Sequence, residues 1–583
     1  MKEEALRYFR VCSSKLLCQV PGLLCNHRRE DFYSKPERRN RHMMNRWFFV
    51  VFKITLSVWA VVQEASAVYS KHWNSGSVVS GDDAIDTASH PTWRELRFDV
   101  TDFGAVGDGV MDDSAAIQAT LQRATQHAME SLPVGEDNVY AAVYFPPSKT
   151  FVTAPFNLTS HMILRVEGTL RAITNTTKNF EVRWPKLPPL PSYGNSRDAN
   201  FYLEYQSLIF AKEATNVKIV GQGTIDGRGQ WWWDAFLKKP GSYRLQAGRP
   251  NLIQFWNCTN IEIRQVTMKD SPFWTLHPVY SKDIYIQGTK ILAPMFAPNV
   301  DGIDPDSCEN VLIEDNDIRC GDDHIAIKAG VCGDDTVENA VTQSDDDSGL
   351  QSRDPIHCAS DPRFRAGGYV TRNITIRGNM LRTGMGIALG SELSGGIEDV
   401  LVSQNYIGNC EHGHDSPKKS CGWGHAMHLK TTLTRGGFLR NIQFEGNIIS
   451  NTTGVFLLET DYQDSQHKLP PSNYPTTDIR NITLMHNDAT GEAVTMSFQC
   501  SPYMTCKDLT VENNFVEKAK PSDYHCAYVQ TYKVNRNYPN SLEECMRNSM
   551  NQSVSQTMKD LLSMHGKVLQ PPISQQQSQD RVD

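Results

Sequence analysis

An all-β fold, a right-handed parallel β-helix closed at its start by an N-terminal capping helix, is what this sequence predicts. Two observations predict it. The first is a recurring pattern of Asn or Asp, an apolar residue, any residue, and another apolar one. It reads NVKIVG from Asn216, NIEIRQ from Asn260, DIYIQG from Asp283 and NVLIED from Asn310. It continues as NITIRG, DVLVSQ, NIQFEG, NITLMH and DLTVEN from Asn373, Asp399, Asn441, Asn481 and Asp508. The second is spacing. The starts at 260, 283 and 310 are 23 and 27 residues apart, and the wider gaps read as two periods or one period plus an insertion. Each unit is one alternating stretch bounded by Asn, Asp or Gly, which reads as a short strand and turn. A single strand cannot cover its own apolar face, but parallel stacking of units about 4.8 Å apart does. Crossover chirality then sets the right hand. A β-sandwich also contains many short strands, yet nothing in it requires strand sequence to repeat every coil.

Taken in order, the elements begin with a hydrophobic run, WFFVVFKITLSVWAVV (Trp47 to Val62). Arg39, Arg41 and Arg46 precede it and a small-x-small ASA at Ala65 to Ala67 follows. This is the layout of a secretory signal. The run holds 16 residues including Lys53, against the roughly 20 needed to span a bilayer. The 42 residues before Met43 are long for a signal n-region, which leaves initiation at Met43 or Met44, or an uncleaved signal anchor, as alternatives. Residues 1–67 are therefore assigned to a basic segment with a signal peptide or anchor, 68–97 to a linker, 98–530 to the β-helix and 531–583 to a partly disordered tail. From Phe98, FDVTDFGAVGDGV reads as a strand and Gly-rich loop leading into a helix, with Asp112, Asp113 or Ser114 as its N-cap. That helix would cover the first open coil. The Pro-rich stretch Val182 to Gly194 is a surface loop. The triplet Trp231 to Trp233 either stacks on a ring ligand or packs at a coil end.

Eleven of the 14 cysteines follow the hydrophobic run. Cys332/Cys358, Cys410/Cys421, Cys500/Cys506 and Cys526/Cys545 each bracket an irregular polar stretch, which suits loop-tying disulfides in an oxidising compartment. Connectivity is not deducible from sequence. Cys258, Cys308 and Cys320 lie in strand-like runs and are expected as buried thiols. Seven N-x-S/T triplets, at Asn157, Asn175, Asn257, Asn373, Asn451, Asn481 and Asn551, are compatible with secretion. A net charge of −8 argues against a polyanion held by overall charge, nucleic acid included, so an acidic ligand needs local cations.

NVDGIDPDSC (Asn299 to Cys308) and CGDDHIAIKAG (Cys320 to Gly330) place Asp301, Asp322 and Asp323 at offsets of 21 and 22 residues, about one coil. Taken singly, each acid is most simply a solvated turn residue. Three of them at one coil's offset, with Gly302 and Gly321 alongside, instead predict a carboxylate cluster on one face of adjacent coils. Such a cluster suits glycosidic hydrolysis, in which one carboxyl protonates the leaving oxygen and another activates water. It also suits calcium. Crowding separates the pKa values, because neighbouring negative charges resist ionising together. A second CGDD at Cys332 to Asp335 opens an acidic insertion without ordered ligand spacing and reads as loop. HGHD at His412 to Asp415 reads as a solvated loop rather than a metal site.

These residues resemble the polygalacturonases of glycoside hydrolase family 28, from DFGAVGDGV at Asp102 to about Val516. The resemblance also rests on GQGTIDGRG at Gly221, SPFWTLHPV at Ser271, GSELSGGIEDV at Gly390 and HLKTTLTRGG at His428. It implies a pectin-lyase-like solenoid and hydrolysis of α-1,4-galacturonosidic bonds in pectin with inversion. It further implies Asp322 as general acid, with Asp301 and Asp323 positioning and activating water. Lys430 stands where the family binds a galacturonate carboxylate, and Tyr462 where it contacts sugar. His428 and Asp304 complete the expected substrate-binding set, with Lys328 or Arg435 as further local cations. Two positions depart from the family pattern: Met385 stands in place of a histidine, and His428 in place of an arginine. Neutral histidine cannot replace an always-charged arginine, so anionic-sugar binding is expected to tighten as pH falls. No metal or other cofactor is expected. A monomer acting on pectic polysaccharide is, either secreted to the cell wall or tethered through residues 47–62. Long insertions at 332–358 and 410–421 would close the groove and favour exo-action. The alternatives are a rhamnogalacturonan or other uronide hydrolase, a calcium-dependent pectate lyase, and a non-catalytic carbohydrate-binding wall protein.

Overall fold

The computed structural model describes residues 94–130, 139–174, 184–193, 203–240, 242, 244–331, 369–408, 424–433, 435–462, 476–491, 496–517, 520, 523–538, 540–553 and 555. They form a right-handed parallel β-helix with three faces. One face is a 13-stranded sheet running from Arg94–Asp99 to Tyr532–Asn535, and the second is a 12-stranded sheet. The third is divided into a four-stranded and a six-stranded sheet. A typical coil gives one strand to each face: Thr259–Arg264, Thr267–Lys269 and Leu276–Val279. Among the described strands the single antiparallel pair is Lys186–Leu187 with Glu204–Tyr205.

The repeated Asn or Asp has a conformational reason. Asn216, Asn260, Asp283, Asn310, Asn373, Asp399, Asn441, Asn481 and Asp508 all have φ between 54° and 59°. Asn and Asp tolerate this left-handed region better than branched residues. Their side chains also bond from coil to coil, as in Asn310 to Asp283 (2.8 Å), Asn373 to Asn310 (2.7 Å) and Asn481 to Asn441 (2.8 Å). Three residues into each unit stands a core column: Ile219, Ile263, Ile286, Ile313, Ile376, Val402, Phe444, Leu484 and Val511. These pair in register and are essentially inaccessible. Removing one such side chain to Ala would cost about 2–5 kcal/mol. A second Asn, six residues after the first, builds a buried ladder through Asn316, Asn379, Asn405, Asn447, Asn487 and Asn514, extended by Asn537. Each amide donates to the next Oδ1 at 2.9–3.0 Å.

Both ends are covered. Helix α1 (Ser114–Glu130) buries Ile117, Leu121, Ala124 and Ala128 over the first coil. Asp112 accepts from the Ser114 N–H at 3.1 Å, while Asp113 turns to the Val106 N–H at 2.7 Å and fastens the Gly-rich loop. At the other end the expected tail from 531 gives way to order. Strand Tyr532–Asn535 joins the 13-stranded sheet, and a helical run at 542–553 buries Leu542 and Met546. The reason is the solenoid's open end, which offers a strand edge to pair and a core to cover. The β-helix likewise begins at Arg94, four residues before its expected start.

Cys500–Cys506 and Cys526–Cys545 are disulfides, the latter pinning the C-terminal helix, and Cys258, Cys308 and Cys320 are free and buried. In helix α2 (Gln230–Phe236) Trp232 and Trp233 pack inside. Trp232 meets Trp184 and Tyr205 edge-on at 5.3 and 5.2 Å, which leaves it no face for a ligand ring. The hydrophobic run at 47–62, the pairs Cys332/Cys358 and Cys410/Cys421, the second CGDD and His412 to Asp415 lie outside the described residues. Among those residues no helix is long and apolar enough to cross a membrane.

Candidate active site

The site lies where regular pairing on the third face is interrupted. Between strands Leu276–Val279 and Ile325–Ile327 the chain makes only isolated bridges, Leu276 to Ile303 to Ile325 and Val279 to Asp306 to Lys328. Pro305 explains this locally, because it has no N–H to give to a ladder. The coil is still fixed by backbone bonds: Asp304 N donates to Leu276 O (2.8 Å), Gly302 N to Asp323 O (3.0 Å) and Lys328 N to Pro305 O (2.8 Å). Gly302 and Gly321 are required by close approach, since a Cβ would lie 2.3 Å from the His324 carbonyl oxygen and 2.0 Å from that of Ala297.

Ile303 pairs with Ile325 and Ile325 with Ile387, so Asp301 stands one coil below Asp323, and Met385 one coil above it. Ile387 pairs with Met427, which puts His425 above Met385 in the same column. Asp322 is the most open of the three predicted acids; Asp301 and Asp323 are 4% and 5% exposed. The Asp323 carboxylate accepts from Lys430 Nζ at 2.7 Å, and the Asp322 carboxylate accepts from the Asp323 N–H at 3.0 Å. Burial first, then the charge of Asp323, pushes Asp322 up to about 6. Burial, with the charges of Asp304 and Asp322 added, raises Asp301 well above the usual carboxylate range.

Lys430, His428 and Tyr462 gather on the next two coils. The register sets Lys430 beside Glu459, and the Lys430 ammonium sits 5.2 Å from the Tyr462 ring centroid. His428 Nε2 is 3.1 Å from Glu459 Oε2, and its ring meets Tyr462 edge-on at 5.8 Å. Burial holds the His428 pKa below its ordinary value, partly opposed by the Glu459 hydrogen bond. Burial also opposes the charge of Lys430, but Asp323 overcomes it and raises the pKa.

Asp304 is the predicted substrate-binding residue that the structure buries. It is 0% exposed, so its carboxyl cannot meet a sugar directly. It sits behind Asp301, with Lys328 Nζ 3.4 Å from its Oδ1 and 3.6 Å from Asp301 Oδ2. Lys328 is 4% exposed and so is no surface cation; it serves the buried acids, including Glu392 at 3.6 Å. Glu392 and Glu459 were not singled out from the sequence, because nothing in GSELSGG or LLETDY marks the one as facing the buried Lys328 or the other as facing His428. Coil-to-coil register does so.

The chain matches the family model for glycosyl hydrolases family 28 over residues 147–343 and 365–536. It is 32% identical over 442 residues to a probable polygalacturonase of Vitis vinifera, covering 74% of this chain and 77% of that one. It is 25% identical over 489 residues to a probable polygalacturonase of Arabidopsis thaliana, covering 83% and 88%. Among solved structures, an exopolygalacturonase from Thermotoga maritima superposes with a TM-score of 0.58 at 24% identity, over 77% of this chain and 93% of that chain. A polygalacturonase from Erwinia carotovora ssp. carotovora gives 0.51 at 21%, over 78% and 100%. The family match makes this parallel β-helix, with its carboxyls on adjacent coils, a glycoside hydrolase. The chain belongs to glycosyl hydrolases family 28.

Proposed function

We propose that this protein hydrolyses α-1,4-galacturonosidic bonds of pectic polysaccharide with inversion, outside the cell. The observation that carries the reading is the pairing of unlike adjacent acids, Asp322 pushed up to about 6 by burial, so that it holds its proton in mildly acidic solution, and Asp323 ion-paired with Lys430 from a later coil. Asp322 gives its proton to the glycosidic oxygen as the C1–O bond breaks. Asp301 and Asp323 orient a water, take up its proton, and direct its oxygen to C1 from the opposite face. Lys430, His428 and Tyr462 hold the sugar carboxylate and ring. The polygalacturonase names of the relatives support this substrate, and the two disulfides support an oxidising compartment.

The test is product analysis after incubation with polygalacturonate. Saturated galacturonate products with new reducing ends are expected; unsaturated products absorbing in the ultraviolet would point to elimination and overturn hydrolysis. Monomer or dimer alone would mark exo-action, and a ladder of oligomers internal cleavage. Asp322→Asn should lower kcat by roughly 10²–10⁴-fold, the usual worth of a general acid.

A further inference from the structure

The column that carries the acids continues past them. Two residues ahead of Ile303, Ile325, Ile387 and Met427, which pair in register, stand Asp301, Asp323, Met385 and His425, one to a coil. Coils repeat at about 4.8 Å, so His425 lies roughly 10 Å past Asp323 along the solenoid axis. That is too far for the linkage that meets Asp322, and within reach of a neighbouring sugar. Asp322, Lys430 and Tyr462 also follow one another in this direction, so a polymer that meets all three runs along the column. Met385 offers a thioether and no N–H or O–H. His425 is therefore the first side chain beyond the acids on this column that can give a strong hydrogen bond, and Gly454, its partner on the next coil, adds no side chain beside it. The imidazole is half-buried, and among the described residues no group hydrogen-bonds to either of its ring nitrogens. Its ring lies 5.7 Å from that of His428, which in turn meets Glu459 and Tyr462. Burial, then the charge of His428, pushes the His425 pKa down to about 4, so near neutral pH the ring offers one N–H and one bare nitrogen.

We propose that His425 is a substrate-binding residue whose ring N–H donates to an oxygen of the uronate unit next to the bond being cut. This rests on the hydrolytic reading above and adds to Lys430, His428 and Tyr462 a contact on the acid column itself. The site then holds at least two uronate units, one at the acids and one at His425, with the half-buried Met385 between them. A chain of uronates gains from this contact, and a single unit seated at the acids does not.

Two substitutions separate a hydrogen bond from ring packing, each made in the inactive Asp322→Asn parent and titrated with a galacturonate trimer. His425→Phe keeps a ring and has no N–H, and Kd should rise about tenfold, the worth of one hydrogen bond. His425→Gln supplies an amide N–H, and Kd should stay within about threefold of the parent. Full affinity in His425→Phe would make the ring a packing group and overturn the proposal, as would a loss in His425→Gln equal to that in His425→Phe. In the active enzyme His425→Phe should raise KM for polygalacturonate about tenfold while kcat falls less than threefold, because the contact removed is made alike before and during bond cleavage. A loss confined to kcat would put His425 at the reacting atoms and overturn the assignment. If His425→Phe does not fold, His425→Ala takes its place with the same expectations. If the parent binds no galacturonate oligomer, the pectic reading falls and the proposal with it; if the parent binds and the His425 variants bind equally well, the proposal alone falls.

Discussion

His428 shows how a single side chain can set a condition on binding. It faces Glu459 and Tyr462, with Lys430, His425 and Asp323 around it, and burial keeps it neutral near pH 7. A bound uronate carboxylate gains a charged partner only when the imidazole takes up a proton. Affinity of the inactive Asp322→Asn variant for a galacturonate oligomer, read by calorimetry, should therefore rise as pH falls below the ordinary imidazole value of about 6.5. The gain expected is about tenfold, the worth of one charge-assisted bond. His428→Arg should flatten this dependence, and Glu459→Gln should shift it to lower pH; an unchanged slope in His428→Arg would remove the role. Lys430 carries a different expectation. Lys430→Met leaves the buried Asp323 carboxylate without its partner, which should cost about 3–5 kcal/mol in denaturant unfolding, besides activity.

The coil is the element of this molecule, and its two asparagine positions do different work. The outer position needs a left-handed backbone, so Asn441→Val should lose about 1–2 kcal/mol while Asn441→Gly is tolerated far better. The inner position needs an amide that both gives and accepts. Asn405→Leu would strip a donor from Asn447 Oδ1's column and an acceptor from Asn379, leaving buried polar groups unpaired at about 1–3 kcal/mol each. Thermal melting of the two sets compares them directly. The outer position was legible as the repeated Asn or Asp. The inner one was equally present, six residues on in every unit from Asn310 to Asp508, but polar residues between strands read as generic turns. Only the ladder geometry distinguishes a solvated Asn from an inaccessible one.

At the scale of the molecule, stability depends on closing both ends of a stack that is otherwise open. Truncation after residue 530 removes strand Tyr532–Asn535 and the helical run that covers Leu542 and Met546. Such a protein should melt at lower temperature and associate in sedimentation experiments, since the Cys506–Glu512 strand becomes a bare edge. The repeat, its strands, the capping helix and the offset that joins Asp301 to Asp322 and Asp323 were determined by the sequence alone. The reason is that periodicity survives in one dimension: a residue's place on a solenoid is its number modulo the coil. Tertiary structure alone decided which acids reach solvent and which lie behind them. Asp304, three residues from Asp301, reads as an equal candidate along the chain, yet it lies wholly inside. It also decided that Lys328 answers buried carboxyls while Lys430 answers Asp323. Depth is set by how neighbouring coils, with insertions of unequal length between them, come to rest against one another, and no spacing within one strand encodes it.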